Sequence, residues 1–218
     1  MNIAENIKKL TTALPEGVEL VAVSKTKSIA EILQAYEAGQ RVFGENKIQE
    51  MTAKWAELPK DIEWHMIGHI QRNKVKYMAG FVSLIHAVDN LKLLAEINKQ
   101  AQKHDRVINC LLQLKIAEED SKFGMSEEDA AALFSSEELK TFQNIKIVGL
   151  MGMATFTNDQ VQLAAEFGYL NSVFEKFKTQ EPEINILSMG MSGDYPLAIK
   201  HGSNMVRVGS AIFGTRNY

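Results

Sequence analysis

The sequence predicts an α/β fold, a single (β/α)8 TIM barrel preceded by one extra helix. Three observations carry that expectation: eight short runs rich in Val and Ile, longer segments of helical period between them, and runs that are apolar throughout where alternation would mark a half-exposed sheet. Strands buried on both faces read that way, as in a parallel sheet covered by helices. An open doubly wound sheet shares the alternation, since strand order is invisible in it. Eight strand-helix units within 218 residues fit the compact closed barrel.

The elements follow in order. A helix over residues 2–14 comes first, and strands are expected at 18–23, 41–43, 62–67, 82–87, 107–114, 145–150, 184–187 and 205–208. Ile29, Ile32, Leu33 and Tyr36 mark one helical face, and Phe167, Leu170, Phe174 and Phe177 another. Ser28 with Glu31 and Ser126 with Asp129 have the spacing of capping boxes that open helices. No linker interrupts the alternation, so residues 1–218 are expected to form one domain. Gly149-Leu150-Met151-Gly152-Met153 and Leu187-Ser188-Met189-Gly190-Met191 echo each other at two strand ends, too briefly to establish a repeat.

Composition excludes several classes. With 45% hydrophobic and 23% charged residues and only 14 Gly and 4 Pro, the chain is neither disordered nor fibrous. A net charge of −3 gives no field to gather nucleic acid or an anionic membrane, and neither partner is expected. The lone Cys110 forms no intrachain disulfide and suits a reducing compartment. No apolar run approaches the ~18 residues that cross a bilayer. Glu5, Lys8 and Lys9 charge the segment where a secretion signal would be apolar, so a cytoplasmic protein is expected.

In a barrel of this kind chemistry sits at the carboxyl ends of the strands. Lys25 follows the first strand, where partial desolvation would leave a nucleophilic amine able to form a Schiff base; a strand-end lysine can equally extend to water. Ser188-Met189-Gly190-Met191-Ser192-Gly193-Asp194 and Arg207-Val208-Gly209-Ser210 follow the last two strands, where barrels often bind phosphate. Glycine admits the anion to the backbone, Ser192 and Ser210 offer hydroxyls and Arg207 a charged donor, although Gly and Ser also form ordinary turns. A Schiff-base lysine with a phosphate cradle suits an aldehyde bearing a phosphate, such as pyridoxal phosphate. His65, His69 and His86 lack metal-ligand spacing, and no metal is expected. The basic stretch from His69 to Tyr77 reads as a solvated face or a contact for an acidic partner, and Glu118, Glu119 and Asp120 as a surface turn or paired acid and base.

Seven stretches in order resemble the pyridoxal-phosphate-binding homeostasis proteins, the YggS/PROSC family. They are Ala22-Val23-Ser24-Lys25-Thr26-Lys27, Phe43-Gly44-Glu45-Asn46, Gln49-Glu50, the run from Trp64 to Lys74, Ser121-Lys122-Phe123-Gly124, Ser188 to Ser192 with Asp194, and Arg207 to Gly214. The resemblance implies a barrel of the alanine-racemase N-terminal-domain type that holds pyridoxal 5'-phosphate as an aldimine on Lys25. It implies that Ser192, Gly209 and Ser210 bind the phosphate, that Asn46 lines the pocket, and that Arg207 lies near the pyridine nitrogen. Ser210 stands where the family more often has threonine, and Ile70 where leucine is usual.

The resemblance further implies a role in vitamin B6 and amino-acid homeostasis without strong catalysis; a monomer is expected, with apo pyridoxal-phosphate enzymes as recipients. Racemisation needs acid-base groups on both faces of the cofactor, and in related racemases one comes from a second domain. Ten residues follow the last expected strand, so that domain is not expected here, and Tyr195 and Tyr218 have no expected placement over the ring. The alternatives are an amino-acid racemase or lyase using Lys25, a phosphate-binding barrel enzyme without the cofactor, and an RNA or protein partner at His69 to Lys76.

Overall fold

The computed structural model describes residues 2–118 and 123–214. Glu119, Asp120, Ser121, Lys122 and Tyr218, all drawn into the sequence reading, lie outside the described residues. Asn2 accepts the Glu5 N–H and opens α1 (Ile3–Ala13), whose buried face is Ile3, Ile7 and Leu10. Beyond it, β1 (Glu19–Val23), β2 (Val42–Glu45), β3 (Glu63–Met66), β4 (Leu84–Val88), β5 (Ile108–Leu114), β6 (Ile145–Gly152), β7 (Ile186–Ser188) and β8 (Met205–Val208) pair in parallel, each with the next. β8 returns to β1 in the register Glu19 to Met205 and Ala22 to Val208, so the sheet is closed and the open doubly wound alternative is ruled out. Every expected strand is present, with ends displaced by no more than two residues.

The strands are apolar throughout because both faces are covered. Val21, Val42, Leu84, Leu111, Met151 and Met205 fill the barrel interior, while Phe43, Trp64, Ile85 and Leu112 pack outward against the helices. Between strands lie α2 (Ile29–Glu37), α3 (Ile48–Glu57), α4 (Leu91–Gln102), α5 (Glu127–Phe134), α6 (Glu137–Lys140), α7 (Gln160–Gln180) and α8 (Tyr195–Lys200), with α9 (Ser210–Phe213) after β8. Both capping boxes form: Ser28 exchanges bonds with Glu31 at the start of α2, and Ser126 with Asp129 at α5. On α7, Phe167, Leu170, Phe174 and Phe177 are buried as their spacing predicts; each such side chain contributes on the order of 1.5–3 kcal/mol.

The third connection departs from the regular pattern. It is a 3₁₀ helix, Arg72–Tyr77, with Val75 as its buried residue. Arg72, Asn73, Lys76 and Tyr77 are exposed, which leaves no apolar stripe to hold a longer helix against the sheet. At the end of the chain α9 is a single turn, and α1 packs against both α9 and α2, covering the outer wall where a full eighth helix would lie.

Candidate functional site

Parallel closure brings all eight carboxyl ends to one face, and a cavity of about 560 Å³ opens there. Lys25, Asn46, Ser192, Arg207, Gly209 and Ser210 all line it. A smaller hollow of about 370 Å³ lies along Thr11, Pro15, Glu16, Gln40 and Arg41, and none of those six residues reaches it.

Lys25 sits one residue past Ser24 at the end of β1, half-buried, in a turn closed by the Lys27 N–H donating to the Ser24 carbonyl at 3.0 Å. Thr26, next in the turn, has φ +66°, a left-handed conformation rare for a β-branched residue. Asn46 follows β2, and its backbone is pressed by Gly68 at the end of β3. A Cβ on Gly68 would come within 2.4 Å of the Asn46 carbonyl oxygen, so only glycine permits this approach.

The adjoining wall is made by the loops after β7 and β8, since β8 pairs with β1. Gly190 has φ +95°, and a Cβ there would meet Ala198 Cβ at 2.7 Å, which packs the loop onto α8. Asp194 folds back to accept the Met191 N–H, and the Gly209 N–H donates to Ser192 Oγ at 3.2 Å, tying one loop to the other. Ser210 opens α9 at the cavity edge. Asp194 is the lining carboxylate among the described residues, and burial, the largest influence, raises its pKa against the pull of the Met191 N–H and Arg207.

Arg207 points into the barrel from β8. Its Nη1 donates to the Ser188 carbonyl at 2.9 Å and to Ser188 Oγ at 2.7 Å, and its Nη2 to the Gly152 carbonyl at 3.0 Å. The two echoed sequence segments therefore converge, each supplying a strand-end carbonyl to one guanidinium. Burial pushes the Arg207 pKa down to about 10, with Asp194 opposing. Beneath it, Ser188 Oγ lies 3.2 Å from His86 Nδ1, and His86 Nε2 lies 3.1 Å from His65 Nδ1. Burial holds both imidazoles neutral, His65 with its pKa lowered to about 3 and His86 well below the usual histidine value. These two histidines are interior groups outside the cavity lining, and His69 stacks on Phe123 at 4.9 Å on the half-exposed surface.

Several lining groups carry no motif. The loop from β6 to α7 supplies Met153, Thr155, Phe156 and Thr157, and Glu166 on α7 anchors it by accepting the Thr155 N–H at 2.7 Å and its Oγ1–H at 2.6 Å. Lys27 also faces the cavity, but its Nζ donates to the Phe213 carbonyl at 2.9 Å and lies 3.4 Å from Glu31. Beside the turn of Lys25, the buried Glu45 and Lys54 and the half-buried Glu50 form a charged cluster. Glu45 and Glu50 were visible within matching stretches, whereas their meeting with Lys54 is a tertiary contact that spacing does not show.

The class follows from the closed parallel barrel with its site at the strand ends. The profile of the alanine racemase N-terminal domain matches residues 1–217. The chain is 39% identical over 232 residues to a pyridoxal phosphate homeostasis protein of Vibrio alginolyticus, covering 100% of this chain and 99% of that one. PipY of Synechococcus elongatus PCC7942, solved with PLP bound, superposes with a TM-score of 0.89 at 36% identity, covering 97% of this chain and all of that one. The alanine racemase of Clostridium difficile 630 shares the fold, with a TM-score of 0.78 at 14% identity over all of this chain and 56% of its own. The chain belongs to the pyridoxal phosphate homeostasis proteins, built on the alanine racemase N-terminal domain.

Proposed function

We propose that this chain binds pyridoxal 5'-phosphate at the cavity and serves its homeostasis, holding the cofactor for release to apo enzymes. One observation carries the reading: Lys25 from the first strand end lines the same cavity as Ser192, Gly209 and Ser210 from the last two. PipY, 36% identical along the barrel, was solved with PLP bound. The lining fits the ligand chemically. Lys25 supplies an amine, Ser192 and Ser210 hydroxyls, Asn46 an amide and Arg207 positive charge, while the Asp194 carboxylate is turned to the backbone of its own loop. When bound, the cofactor supplies an aldehyde that an amine attacks and a pyridine ring that withdraws electrons.

Each residue has a task in this reading. Lys25 would hold the aldehyde carbon, Ser192, Gly209 and Ser210 the phosphate, and Asn46 would border the ring. Arg207 would supply positive charge for the ring nitrogen, with Ser188 and Gly152 fixing its guanidinium. The reading takes the chain as one barrel domain that acts as a cytoplasmic monomer and is not an enzyme. Its support is chemical. Among the described residues the titratable groups lining the cavity are Lys25, Lys27, Asp194 and Arg207. Neither a tyrosine nor a histidine is among those described lining residues to deliver protons to the far face of the ring.

The test is spectroscopic. Protein mixed with pyridoxal 5'-phosphate should develop a visible band that borohydride bleaches, leaving pyridoxyl mass on the Lys25 peptide. Lys25→Ala should show no such band. Label on Lys27 in place of Lys25, or turnover of L- to D-alanine at ~1–10³ s⁻¹, would overturn the reading.

A further inference from the structure

Three charged side chains meet behind β1 and β2, on the side of the sheet facing α3. Lys54 is buried, and its Nζ donates to the Ser24 carbonyl at 2.8 Å, to Glu45 Oε1 at 2.7 Å and to Glu50 Oε1 at 2.7 Å. An ammonium has three protons, so these bonds exhaust it. Glu45 is fully buried and also accepts from Ser24 Oγ at 2.6 Å, while its Oε2 has no hydrogen-bond partner among the described residues. Burial raises the Glu45 pKa, with Lys54 and Ser24 pulling it down. Buried ion pairs of this kind are poor devices for stability, because desolvation offsets their attraction and an orphaned carboxylate oxygen adds to the cost.

Their contacts point to a local task. The cluster grips both residues that flank Lys25. On one side it fastens Ser24 through the carbonyl and the hydroxyl; on the other, Glu50 Oε1 accepts the Thr26 N–H at 2.5 Å. Thr26 is the residue with φ +66°. A positive φ in the third position of a four-residue turn belongs to type II geometry, where glycine is favoured and a β-branched residue is strained. The carboxylate on the Thr26 amide therefore holds a turn that the residue itself resists.

Resting on the reading of Lys25 as the attachment point, we infer that Glu50, Lys54 and Glu45 are its positioning residues: they clamp Ser24 and Thr26 so that the side chain between them enters the cavity beside the Ser192, Gly209 and Ser210 wall. None of the three lines the cavity, and they act through the backbone of the turn.

Two readouts test this. The first is amide hydrogen exchange on protein free of cofactor. Glu50→Ala should speed exchange of the Thr26 amide by about tenfold or more, the loss expected for one hydrogen bond to a charged group, and Glu50→Gln, which keeps an acceptor, should change it far less. The second is the rate at which the visible band forms with pyridoxal 5'-phosphate, which should fall by about tenfold or more in Glu50→Ala. Thr26→Gly removes the resistance to positive φ, so in that background Glu50→Ala should slow the band only slightly. Should Glu50→Ala fail to fold, Glu50→Asp withdraws the carboxylate from Thr26 while retaining charge near Lys54 and allows the same comparison. Unchanged exchange and rate would overturn the inference, as would an equal slowing with glycine at 26, which would mean that Glu50 acts by charge. Trapped label on a lysine other than Lys25 in the unmodified protein would instead sink the functional reading, whatever the Thr26 amide does.

Discussion

At the β1–β2 rim the chain gathers one buried carboxylate, one half-buried carboxylate and a buried lysine around a single turn, whereas at the β7–β8 rim it presents hydroxyls, glycine backbone and one guanidinium already tied to strand-end carbonyls. The first arrangement spends charge on holding one side chain in place. The second offers neutral donors spread over two loops, the arrangement suited to an anion of several oxygens. Capture by a covalent bond needs one atom well aimed; recognition of a phosphate needs many modest donors. The two rims thus divide one ligand's chemistry between them, and each can be perturbed alone.

The largest effect is expected where the β7–β8 rim has no slack. Gly190→Val must place a Cβ at φ +95° within 2.7 Å of Ala198 Cβ and 2.9 Å of Tyr195 Cα, and should destabilise the fold by about 3 kcal/mol or more. Gly193→Ala, where nothing lies within 4 Å, should leave the melting temperature nearly unchanged. Thermal melts of the two variants side by side would show whether the loop is rigid at one glycine and open at the other; equal losses would contradict that contrast.

Ser210→Ala should act on the ligand and spare the fold. Losing one hydroxyl donor to a charged acceptor costs about 1.5–3 kcal/mol, or roughly 10–150-fold in affinity for pyridoxal 5'-phosphate. Pyridoxal without the phosphate should bind almost as before. Titration of both ligands against the variant decides it, and equal weakening would assign Ser210 a structural part only.

A third comparison sets both rims against the interior beneath them. His65 binds a proton at about pH 3 in the folded chain and near 6.5 when unfolded, so the unfolded state holds more protons between those values. The contribution of the neutral folded form is complete above pH 6.5 and is lost as pH falls toward 3. Between pH 7 and 5 it should cost on the order of 2 kcal/mol for His65, with His86, lowered in the same direction, adding to it. Urea midpoints across that range should fall, and His65→Gln should flatten the slope. An unchanged slope would mean that the pair takes up protons without unfolding.

Much of this arrangement was legible in the sequence. Runs of β-branched residues marked the eight strands, Ser28 and Ser126 announced helix starts, strand ends placed Lys25, Ser192, Arg207, Gly209 and Ser210 on one face, and the family resemblance added Asn46. Closure was legible only through the fit of eight strand-helix units to the chain length, and the register in which β8 meets β1 is encoded in no local pattern. The 3₁₀ connection escaped because a single buried residue, Val75, leaves no periodicity to read. Glu50 and Lys54 stand four apart on α3, which reads as an exposed helical ion pair; only packing of α3 against β2 and β3 turns Lys54 inward onto the Ser24 carbonyl. The same holds for Arg207, whose charge suggested a ligand contact while its bonds to Ser188 and Gly152 arise from strand neighbours far apart in sequence.

The division of labour between the rims is tested most directly with pyridoxine 5'-phosphate, which carries the phosphate and ring but no aldehyde. Its dissociation constant should be the same within about twofold for the unmodified protein and for Lys25→Ala, because the aldehyde assigned to Lys25 is absent from it, while Lys25→Ala abolishes the visible band with pyridoxal 5'-phosphate. A tenfold or greater loss of pyridoxine 5'-phosphate affinity in Lys25→Ala would contradict the account, showing that the lysine reads the anion as well as the aldehyde.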